Sequence, residues 1–310
     1  MKRRLLFIYN PNAGMRKIKD KLDDIINNLC GDDTELIVSP TRKQGDARER
    51  VIEYVHNPNC FMVACSGGDG TLHEVVSGMM QCENRVPIVY IPTGTTNDFG
   101  ASLNIPKDMV EASDVARFGM KFPCDIAQLN DEYFVYTACF GLFTETSYAT
   151  SQNMKNVLGH SAYVLKAATE LTKIQRFNLR VEFDDRVEEG TFIFGTVCST
   201  SSIGGVKGLT GNDVRFDDGL YELLLIRDGN ILDVPALIND ILQGNFSHKR
   251  VVYGRVKSVK FYCDSEVPWC VDGEFGGMYR DVEINIHKRA ITLMIPRNNN
   301  FTSPFEDREE

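Results

Sequence analysis

The strongest chemical signal in this sequence is a short run of glycines with an acid and a threonine. Residues 67–71 read Gly-Gly-Asp-Gly-Thr and closely follow an apolar run at residues 61–65. Glycines permit positive φ and let backbone N–H groups approach an anion without an intervening Cβ. The N-terminus of a helix that begins here would also favour phosphate. Asp69 would repel phosphate unless Mg²⁺ lay between them, so we predict a phosphate and magnesium site, with a tight turn capped by Asp69 as the alternative.

Two further loops repeat this chemistry. Residues 92–99 read Pro-Thr-Gly-Thr-Thr-Asn-Asp-Phe, in which Gly94 and Thr95 form a second anion cradle and the Asn-Asp pair adds polar ligands. Residues 10–14 read Asn-Pro-Asn-Ala-Gly, a pattern that also marks ordinary turns. A left-handed turn with a helix N-cap would also explain residues 96–98 alone, but the three loops together predict a site for a nucleoside triphosphate.

Two acidic turns in the second half of the chain carry candidate carboxylates. Asp272-Gly273-Glu274 lies between strand-like segments, and a carboxylate there could accept the proton of an attacking hydroxyl. Without the glycine loops, the same residues would be interpreted as a surface hairpin. In residues 215–220, Asp218 and nearby carbonyls could hold a hard cation, or the segment could be a solvated β-turn. The sequence leaves both interpretations of this second turn open.

Alternating apolar runs and helical patterns predict how the first part of the chain positions the glycine loops. Strand-like runs lie at residues 5–9, 36–38, 61–65 and 86–91, and helical patterns at 17–29, 46–55 and 72–80. We interpret the runs as buried strands of a doubly wound parallel sheet. In such a sheet ligands bind at the carboxyl ends of the strands, which is where all three loops fall.

The pattern changes near residue 124, where short strands replace the alternation. Residues 125–129 and 133–138 flank Asn130-Asp131, a hairpin signal. Further strands are predicted at 179–183, 191–198, 221–226, 255–263, 282–286 and 291–295, and helices at 162–174 and 235–243. We therefore predict an α/β nucleotide-binding domain at residues 1–124 and a mostly antiparallel, β-sandwich-like substrate domain at 125–295. The segment from about residue 296 is expected to pack back on the first domain.

Composition limits the classes of function. The 310 residues contain 34 Lys and Arg against 43 Asp and Glu, a net charge of −9, which disfavours non-specific binding to nucleic acid or to anionic membranes. No apolar run approaches the roughly 20 residues of a membrane span. The nine cysteines include no C-x-x-C pair, which is typical of a reducing cytosol. We predict a cytoplasmic enzyme that binds no nucleic acid.

The ordered motifs resemble the diacylglycerol kinase catalytic family, in particular its soluble bacterial lipid kinase branch, which is related to sphingosine and ceramide kinases. The resemblance covers nearly the whole chain. It rests on N-P-x-x-G at residues 10–14, Thr41 with Gly45-Asp46-Ala47, G-G-D-G-T at 67–71, P-x-G-T-x-N-D-F at 92–99 and D-G-E at 272–274. The G-G-D-G-T motif alone is shared with NAD kinases, whereas the ordered set is far more specific.

The resemblance implies an active site in a cleft between the two domains, with ATP and Mg²⁺ bound there. Asp69 and Asp98 would face the active-site Mg²⁺, with Asp69 also part of the catalytic set. Glu274, helped by Asp272, would be the general base that acts on the lipid hydroxyl. The nucleotide contacts that it implies are Asn10, Pro11, Asn12, Ala13, Gly14, Thr41, Ser66, Gly67, Gly68, Asp69, Gly70, Thr71, Leu72, Gly94, Thr95 and Asn97.

The resemblance also implies a structural Mg²⁺ in the second half of the chain. Its ligands would be the carbonyl of Arg215, the carboxylate of Asp218 and the carbonyl of Leu220. Asp125 would connect this ion to the active site through water.

The function that these features predict is ATP-dependent transfer of the γ-phosphoryl group to a hydroxyl of diacylglycerol or a similar lipid. The partners would be a lipid with a free hydroxyl and, transiently, the inner membrane surface, with homodimer formation left open. One alternative is a kinase of a soluble substrate, of the NAD-kinase type. The other is a non-catalytic sensor of nucleotide or lipid, which would have no evident need for the base at Glu274.

Overall fold

A computed structural model describes residues 2–142, 174–200, 202–203, 206–208 and 214–297 of the chain. Within it the chain divides into two units, one formed by residues up to Asp125 together with those from Arg289, the other by Ile126–Lys288. The sequence placed these divisions after residue 124 and near residue 296. The predicted helix at 162–174, except for its last residue, and the charged C-terminal tail lie outside the described residues.

The first unit is built on a parallel sheet, as predicted. Strand β1 is flanked by β2 and β3, and β4 pairs with the other edge of β3. Residue Tyr9 is in register with both Pro40 and Ser66, and Gly67 is in register with Pro92, so the carboxyl ends of the four strands are aligned. The strands are β1 Arg3–Tyr9, β2 Thr34–Pro40, β3 Cys60–Gly67 and β4 Ile88–Pro92; the helices are α1 Leu22–Leu29, α2 Asp46–Val55, α3 Asp69–Met80, α4 Asp98–Ser102 and α5 Met109–Phe118.

Two elements of the first unit differ from the predictions. Strand β2, predicted to be buried, lies at the edge of the sheet, and Val38 in it is 40% exposed. The helix predicted at residues 17–29 begins as a 3-10 helix at Ala13–Lys21 and becomes α-helical only in α1. Among the side chains described in the 3-10 segment, only Ile18 is buried, so little apolar contact holds that segment in a regular α-helix.

The second unit consists mainly of antiparallel strands. Strands β9 and β14 are long enough that each pairs with β7 along one part and with β8 along another. A core of aromatic side chains lies among them, with the Phe140 and Trp269 ring centroids 5.0 Å apart. The elements, of which the first and the last are shared with the first unit, are β5 Met120–Leu129, β6 Glu132–Phe134, β7 Thr137–Gly141, β8 Phe177–Phe183, β9 Arg186–Cys198, β10 Ser202–Ile203, β11 Val206–Lys207, β12 Tyr221–Arg227, α6 Val234–Leu242, β13 Val251–Val256, β14 Ser258–Val271 and β15 Glu274–Ile295.

The strand boundaries at the end of the chain were predicted incorrectly. The run at residues 255–263 spans the end of β13 and the start of β14, and the two predicted strands at 282–286 and 291–295 are parts of the single strand β15. This strand pairs antiparallel with β14 and then, after Arg289, places Leu293 and Met294 in parallel register with Ile88 and Val89 of β4. A strand that changes partner in this way leaves no turn residues in the sequence to mark the change.

The hairpin predicted around Asn130-Asp131 is present. Leu129 of β5 pairs with Glu132 of β6, and Asn130 has a φ of 49°, as a two-residue turn requires.

In the described parts of the chain, no helix has both the length and the apolar character that crossing a bilayer would require.

Candidate functional site

The three glycine loops are hydrogen-bonded to one another at the carboxyl ends of β1, β3 and β4. The backbone N–H of Asn10 donates to the carbonyl of Ser66 over 2.8 Å, and that of Thr93 donates to the carbonyl of Gly67 over 2.8 Å. The first bond joins the loop after β1 to the loop after β3, and the second joins the loops after β3 and β4. Residues far apart in sequence therefore form one continuous surface of backbone.

Close packing between these loops explains why glycine occupies their contact points. Gly14 has a φ of +53°, and a Cβ built there would lie 1.9 Å from the carbonyl oxygen of Thr93. A Cβ at Gly94 would lie 2.6 Å from the Cα of Gly68. These distances exclude any side chain, so the glycines permit the approach of backbone groups that an anion cradle needs.

Helix α3 begins inside the glycine run, with Gly68 as its N-cap. Glycine has no side chain with which to cap the helix, and Asp69 is the first helical residue, so the alternative of a turn capped by Asp69 is wrong. The N–H groups of Thr71 and Leu72 donate to the carbonyl of Gly68 over 3.0 and 3.2 Å. The side chain of Leu72 is buried in the first unit, so only the backbone of this predicted nucleotide contact is available at the loop.

The two residues predicted to face Mg²⁺ are in contact, because the backbone of Asp98 reaches the carboxylate of Asp69. The N–H of Asp98 donates to Oδ2 of Asp69 over 3.3 Å, and Asp98 is only 4% exposed. Burial, then the charge of Asp69 and more weakly those of Cys65 and Asp98, raise the pKa of Tyr90 well above its usual value. Two acidic groups in one buried region are hard oxygen donors, and they fit a Mg²⁺ that completes its shell with phosphate oxygens and water.

Asn97, a predicted nucleotide contact, has its amide engaged within its own loop. Its Nδ2 donates to the carbonyl of Gly94 over 2.8 Å, and its Oδ1 accepts from the N–H of Gly94 at 3.0 Å. The backbone of Asn97 is left-handed, with a φ of 52°. Its side chain thus fixes the shape of the loop, while the exposed Thr95 lies at the tip of it.

The loop after β1 has a similar internal arrangement. Oδ1 of Asn10 accepts from the N–H of Asn12 at 2.9 Å, and the carbonyl of Asn10 accepts from the N–H of Ala13 at 3.2 Å. The hydroxyls of Ser66 and Thr93, in the neighbouring loops, are buried and have no hydrogen-bond partner in the described parts of the chain. Thr93 was not singled out from the sequence, because a threonine beside glycine carries no distinctive pattern.

Glu74 is a further site residue that sequence reasoning missed. Its Oε1 accepts from the N–H of Gly45 at 2.8 Å, and its Oε2 accepts from the N–H of Ala47 at 3.1 Å. Glu74 belongs to α3, so it ties the segment after Thr41 to the helix that starts in the glycine run. Thr41 itself donates from its N–H to the carbonyl of Tyr9 over 2.9 Å, at the end of β1.

In the second unit, Asp272 and Glu274 are placed differently although they share a turn. Asp272 is 3% exposed, and its carboxylate accepts from the N–H groups of Val135, Tyr136 and Thr137 at 2.8, 3.0 and 3.1 Å. Asp272 and Gly273 have φ of 48° and 87°, the geometry of a two-residue hairpin turn. Glu274 is the exposed first residue of β15, so Asp272 anchors the turn and Glu274 presents its carboxylate to solvent.

The residues predicted to hold the structural Mg²⁺ are engaged in other contacts. Oδ1 of Asp218 accepts from the N–H of Leu220 at 3.0 Å, and Oδ2 is paired with the guanidinium of Arg255. The carbonyl of Arg215 lies 3.5 Å from the hydroxyl of Ser199. Each carboxylate oxygen already has a partner, and one of these partners is a cation, so a divalent ion does not fit here while the guanidinium of Arg255 is in place.

Two other acids that bear on this predicted site are buried: Glu222, which sequence analysis did not single out, and Asp125, the predicted link to the active site. Glu222 is 1% exposed, and its burial raises its pKa to about 8 despite the nearby Arg255. Asp125, in the first unit, is also buried and accepts from the N–H of Arg289 at 2.6 Å. Within the described part of the chain, no group of three or more His, Cys, Asp and Glu side chains is arranged to bind a metal.

Comparison with protein families assigns both halves of the chain. Residues 4–129 match the diacylglycerol kinase catalytic domain. Residues 143–295 match the YegS C-terminal NAD kinase beta sandwich-like domain. The first match contains all three glycine loops, and the second contains both acidic turns.

Individual relatives cover nearly the whole chain. A diacylglycerol kinase of Staphylococcus carnosus (strain TM300) is 32% identical over 302 residues, which are 96% of this chain and 97% of that protein. A diacylglycerol kinase of Staphylococcus aureus (strain MRSA252) is 32% identical over 299 residues, 96% and 94% of the two chains. A solved structure from Bacillus anthracis str. Sterne shares the fold, with a TM-score of 0.79 at 23% identity over 95% of this chain and 96% of that one. The chain therefore belongs to the diacylglycerol kinase family of lipid kinases.

Proposed function

We propose that this kinase uses Mg²⁺ and ATP to transfer the γ-phosphoryl group to a hydroxyl of diacylglycerol or of a similar lipid. The observation that carries the proposal is the joining of three glycine loops around the N-terminus of α3, with Asp69 and Asp98 beside them. Backbone N–H groups and a helix N-terminus supply a local positive potential at the loops, although the chain as a whole is acidic.

The loops of the first unit would hold the nucleotide. The glycines at positions 14, 68 and 94 keep side chains away from the backbone on which the phosphates would lie. Ser66 and Thr93 contribute buried hydroxyls for which the described residues provide no hydrogen-bond partner. Asp69 and Asp98 would hold Mg²⁺, which neutralises phosphate charge when bound.

Glu274 is the residue that we propose as the general base. It would accept the proton of the lipid hydroxyl, making that oxygen a better nucleophile toward the γ-phosphorus. Asp272 is better suited to positioning the turn than to moving a proton, because its carboxylate already accepts three backbone N–H groups. The lipid would be met at the inner membrane surface during transient contact.

The test is a transfer assay with radiolabelled ATP and a panel of lipid and soluble acceptors. The Glu274→Gln variant should lose about 10²- to 10⁴-fold in turnover, the range for one general base, while binding nucleotide as the unmodified protein does. Glu266→Gln, on the exposed part of the preceding strand, is the matched control and should keep full activity. Undiminished turnover in the Glu274 variant would show that the base lies elsewhere.

A kinase of NAD is the second candidate, favoured by the match of residues 143–295 to an NAD kinase-like sandwich domain. The same assay separates the two, because NAD is tested without detergent or lipid. Transfer to NAD together with no transfer to any lipid would reverse the proposal. ATP binding with no transfer to any acceptor would instead favour a sensor.

A further inference from the structure

Arg255 lies beside the acidic turn at residues 215–220, at the carboxylate of Asp218, where the family resemblance implies a metal ion. Its Nη2 is paired with Oδ2 of Asp218, and its Nε lies 3.4 Å from Oε1 of Glu222. Asp218 belongs to the turn that precedes β12, and Glu222 is the second residue of that strand. One guanidinium therefore bridges the turn and the strand that follows it.

The position of Arg255 is set by strand register. Arg255 of β13 is directly opposite Glu222 of β12 in an antiparallel pair. Glu222 is 1% exposed, so the guanidinium forms an ion pair with one acid on its buried side and reaches the turn with its other edge. Arginine suits this arrangement because its planar fork presents several donors in fixed directions.

A divalent ion at the same turn would compete with this arrangement. Both carboxylate oxygens of Asp218 already have partners, since Oδ1 accepts from the N–H of Leu220 at 3.0 Å and Oδ2 is paired with the positively charged Arg255. An ion that displaced the guanidinium would leave Arg255 beside it as a second positive charge. The metal that the family resemblance implies and the arginine that this chain carries are alternatives for one position.

We propose that Arg255 takes the place of the structural divalent ion in this chain, so that the turn containing Asp218 folds without bound metal. The proposal does not depend on which acceptor the kinase uses. It concerns the second unit alone and leaves the Mg²⁺ of the glycine loops unaffected.

The first experiment measures the metal dependence of folding in the whole chain. Thermal unfolding is followed without nucleotide, with excess MgCl₂ or with EDTA, and metal content is determined by elemental analysis. The Asp69→Asn/Asp98→Asn double variant is included, because it removes both carboxylates that would bind Mg²⁺ at the loops. We expect melting temperatures in Mg²⁺ and in EDTA to agree within about 1 °C in that variant, with no stoichiometric metal retained. Bound metal, or a melting temperature that falls when EDTA is added, would overturn the proposal.

The second experiment removes the guanidinium. Arg255→Met should lower the melting temperature by about 3–10 °C, the effect of losing a charge-assisted hydrogen-bonded pair in a chain of this size. The matched control Arg180→Met breaks exposed ion pairs with Glu182 and Glu189 and should change it by less than about 3 °C. In an Asp218→Asn background the loss caused by Arg255→Met should shrink by at least half.

The two Arg255 results are read together with the metal measurement. An Arg255→Met protein as stable as the unmodified chain would contradict the proposal, and so would a full-sized loss in the Asp218→Asn background. If Arg255→Met yields no folded protein, the comparison of Mg²⁺ with EDTA in the Asp69→Asn/Asp98→Asn variant decides alone.

Discussion

At the scale of single residues, neighbouring acids in this chain have different roles that their types do not reveal. Asp272 and Glu274 are two positions apart, yet the first is buried with three backbone donors and the second is exposed. Glu74 and Asp69 are likewise on one helix, and Glu74 accepts from the backbone of the segment that follows Thr41. A carboxylate that satisfies backbone donors is a positioning group, whereas an exposed one is available for chemistry.

Glu74 allows this distinction to be tested. Glu74→Gln keeps one acceptor oxygen but turns an NH₂ group toward a backbone donor, so one of the two bonds to Gly45 and Ala47 is lost. We expect a rise of about 10-fold in the KM for ATP with a much smaller change in kcat, because the variant displaces a loop rather than a reacting group. Steady-state kinetics at saturating lipid separates the two constants.

The control for this variant is Glu53→Gln on the exposed side of α2, where the carboxylate pairs only with Arg50. That variant should leave both constants unchanged. A Glu74→Gln enzyme that loses kcat and keeps its KM for ATP would contradict a positioning role.

The partly buried thiol of Cys263 offers a second prediction at the residue scale. Burial, with smaller contributions from Asp281 and Asp264, raises the pKa of Cys263 to about 12. Because the thiolate is the reactive form, Cys263 should not be alkylated by iodoacetamide at pH 8, and its reaction should accelerate as the pH rises toward 12. Peptide mapping by mass spectrometry measures this, and rapid labelling of Cys263 at pH 8 in folded protein would refute it.

At the scale of elements, the loops work because parallel strands end at the same level. Strands β1, β3 and β4 are in register at Tyr9, Ser66 and Ile91, and the absence of side chains at the glycines lets the loops that follow touch one another. Each glycine therefore allows two loops to touch, in addition to adopting its own backbone conformation.

A pair of alanine substitutions separates contact from conformation. Gly14 and Gly244 both have positive φ, +53° and +78°, but an added Cβ meets the Thr93 carbonyl at 1.9 Å in the first case and nothing within 4 Å in the second. Both substitutions should lower the free energy of unfolding by roughly 1 kcal/mol, because alanine disfavours a left-handed backbone. Only Gly14→Ala should also weaken nucleotide binding, by about 10-fold or more, as measured by calorimetric titration of ATP. Equal affinities in the two variants would mean that the loops need not touch.

At the scale of the whole molecule, the net charge of −9 describes the average surface and says little about the loops. Backbone dipoles provide a local positive potential that no count of lysines would show. The acidity matters instead for the membrane, because anionic lipid attracts basic clusters and repels an acidic chain.

Vesicle binding tests this consequence. Sedimentation with phosphatidylcholine vesicles, with and without added phosphatidylglycerol, should show weak association that anionic lipid changes by less than about 2-fold. Raising the salt concentration should have a similarly small effect. Strong binding that requires anionic lipid and disappears in salt would show that a basic surface dominates the contact.

Much of the architecture followed from local sequence patterns. The apolar runs of β1, β3 and β4 and the glycine loops after them were predicted, because burial on both faces of a parallel strand and the need for positive φ are each visible within about ten residues. The burial of β2 and the division of the C-terminal strands were not predicted correctly. Edge position and the change of strand partner in β15 depend on which strands lie alongside, which local patterns do not contain.

The sequence by itself determined that three phosphate-type loops, two acidic turns and a parallel sheet would occur, since spacing and residue type are enough for each. Only the tertiary structure decided which acids already have hydrogen-bond or ion-pair partners within the chain. The partners of Asp272 lie at least 135 positions away, and Arg255 meets Asp218 across 37 positions. Contacts over such distances arise when strands pair, so the choice between a metal-binding, anchoring or catalytic carboxylate is made by packing and not by the motif.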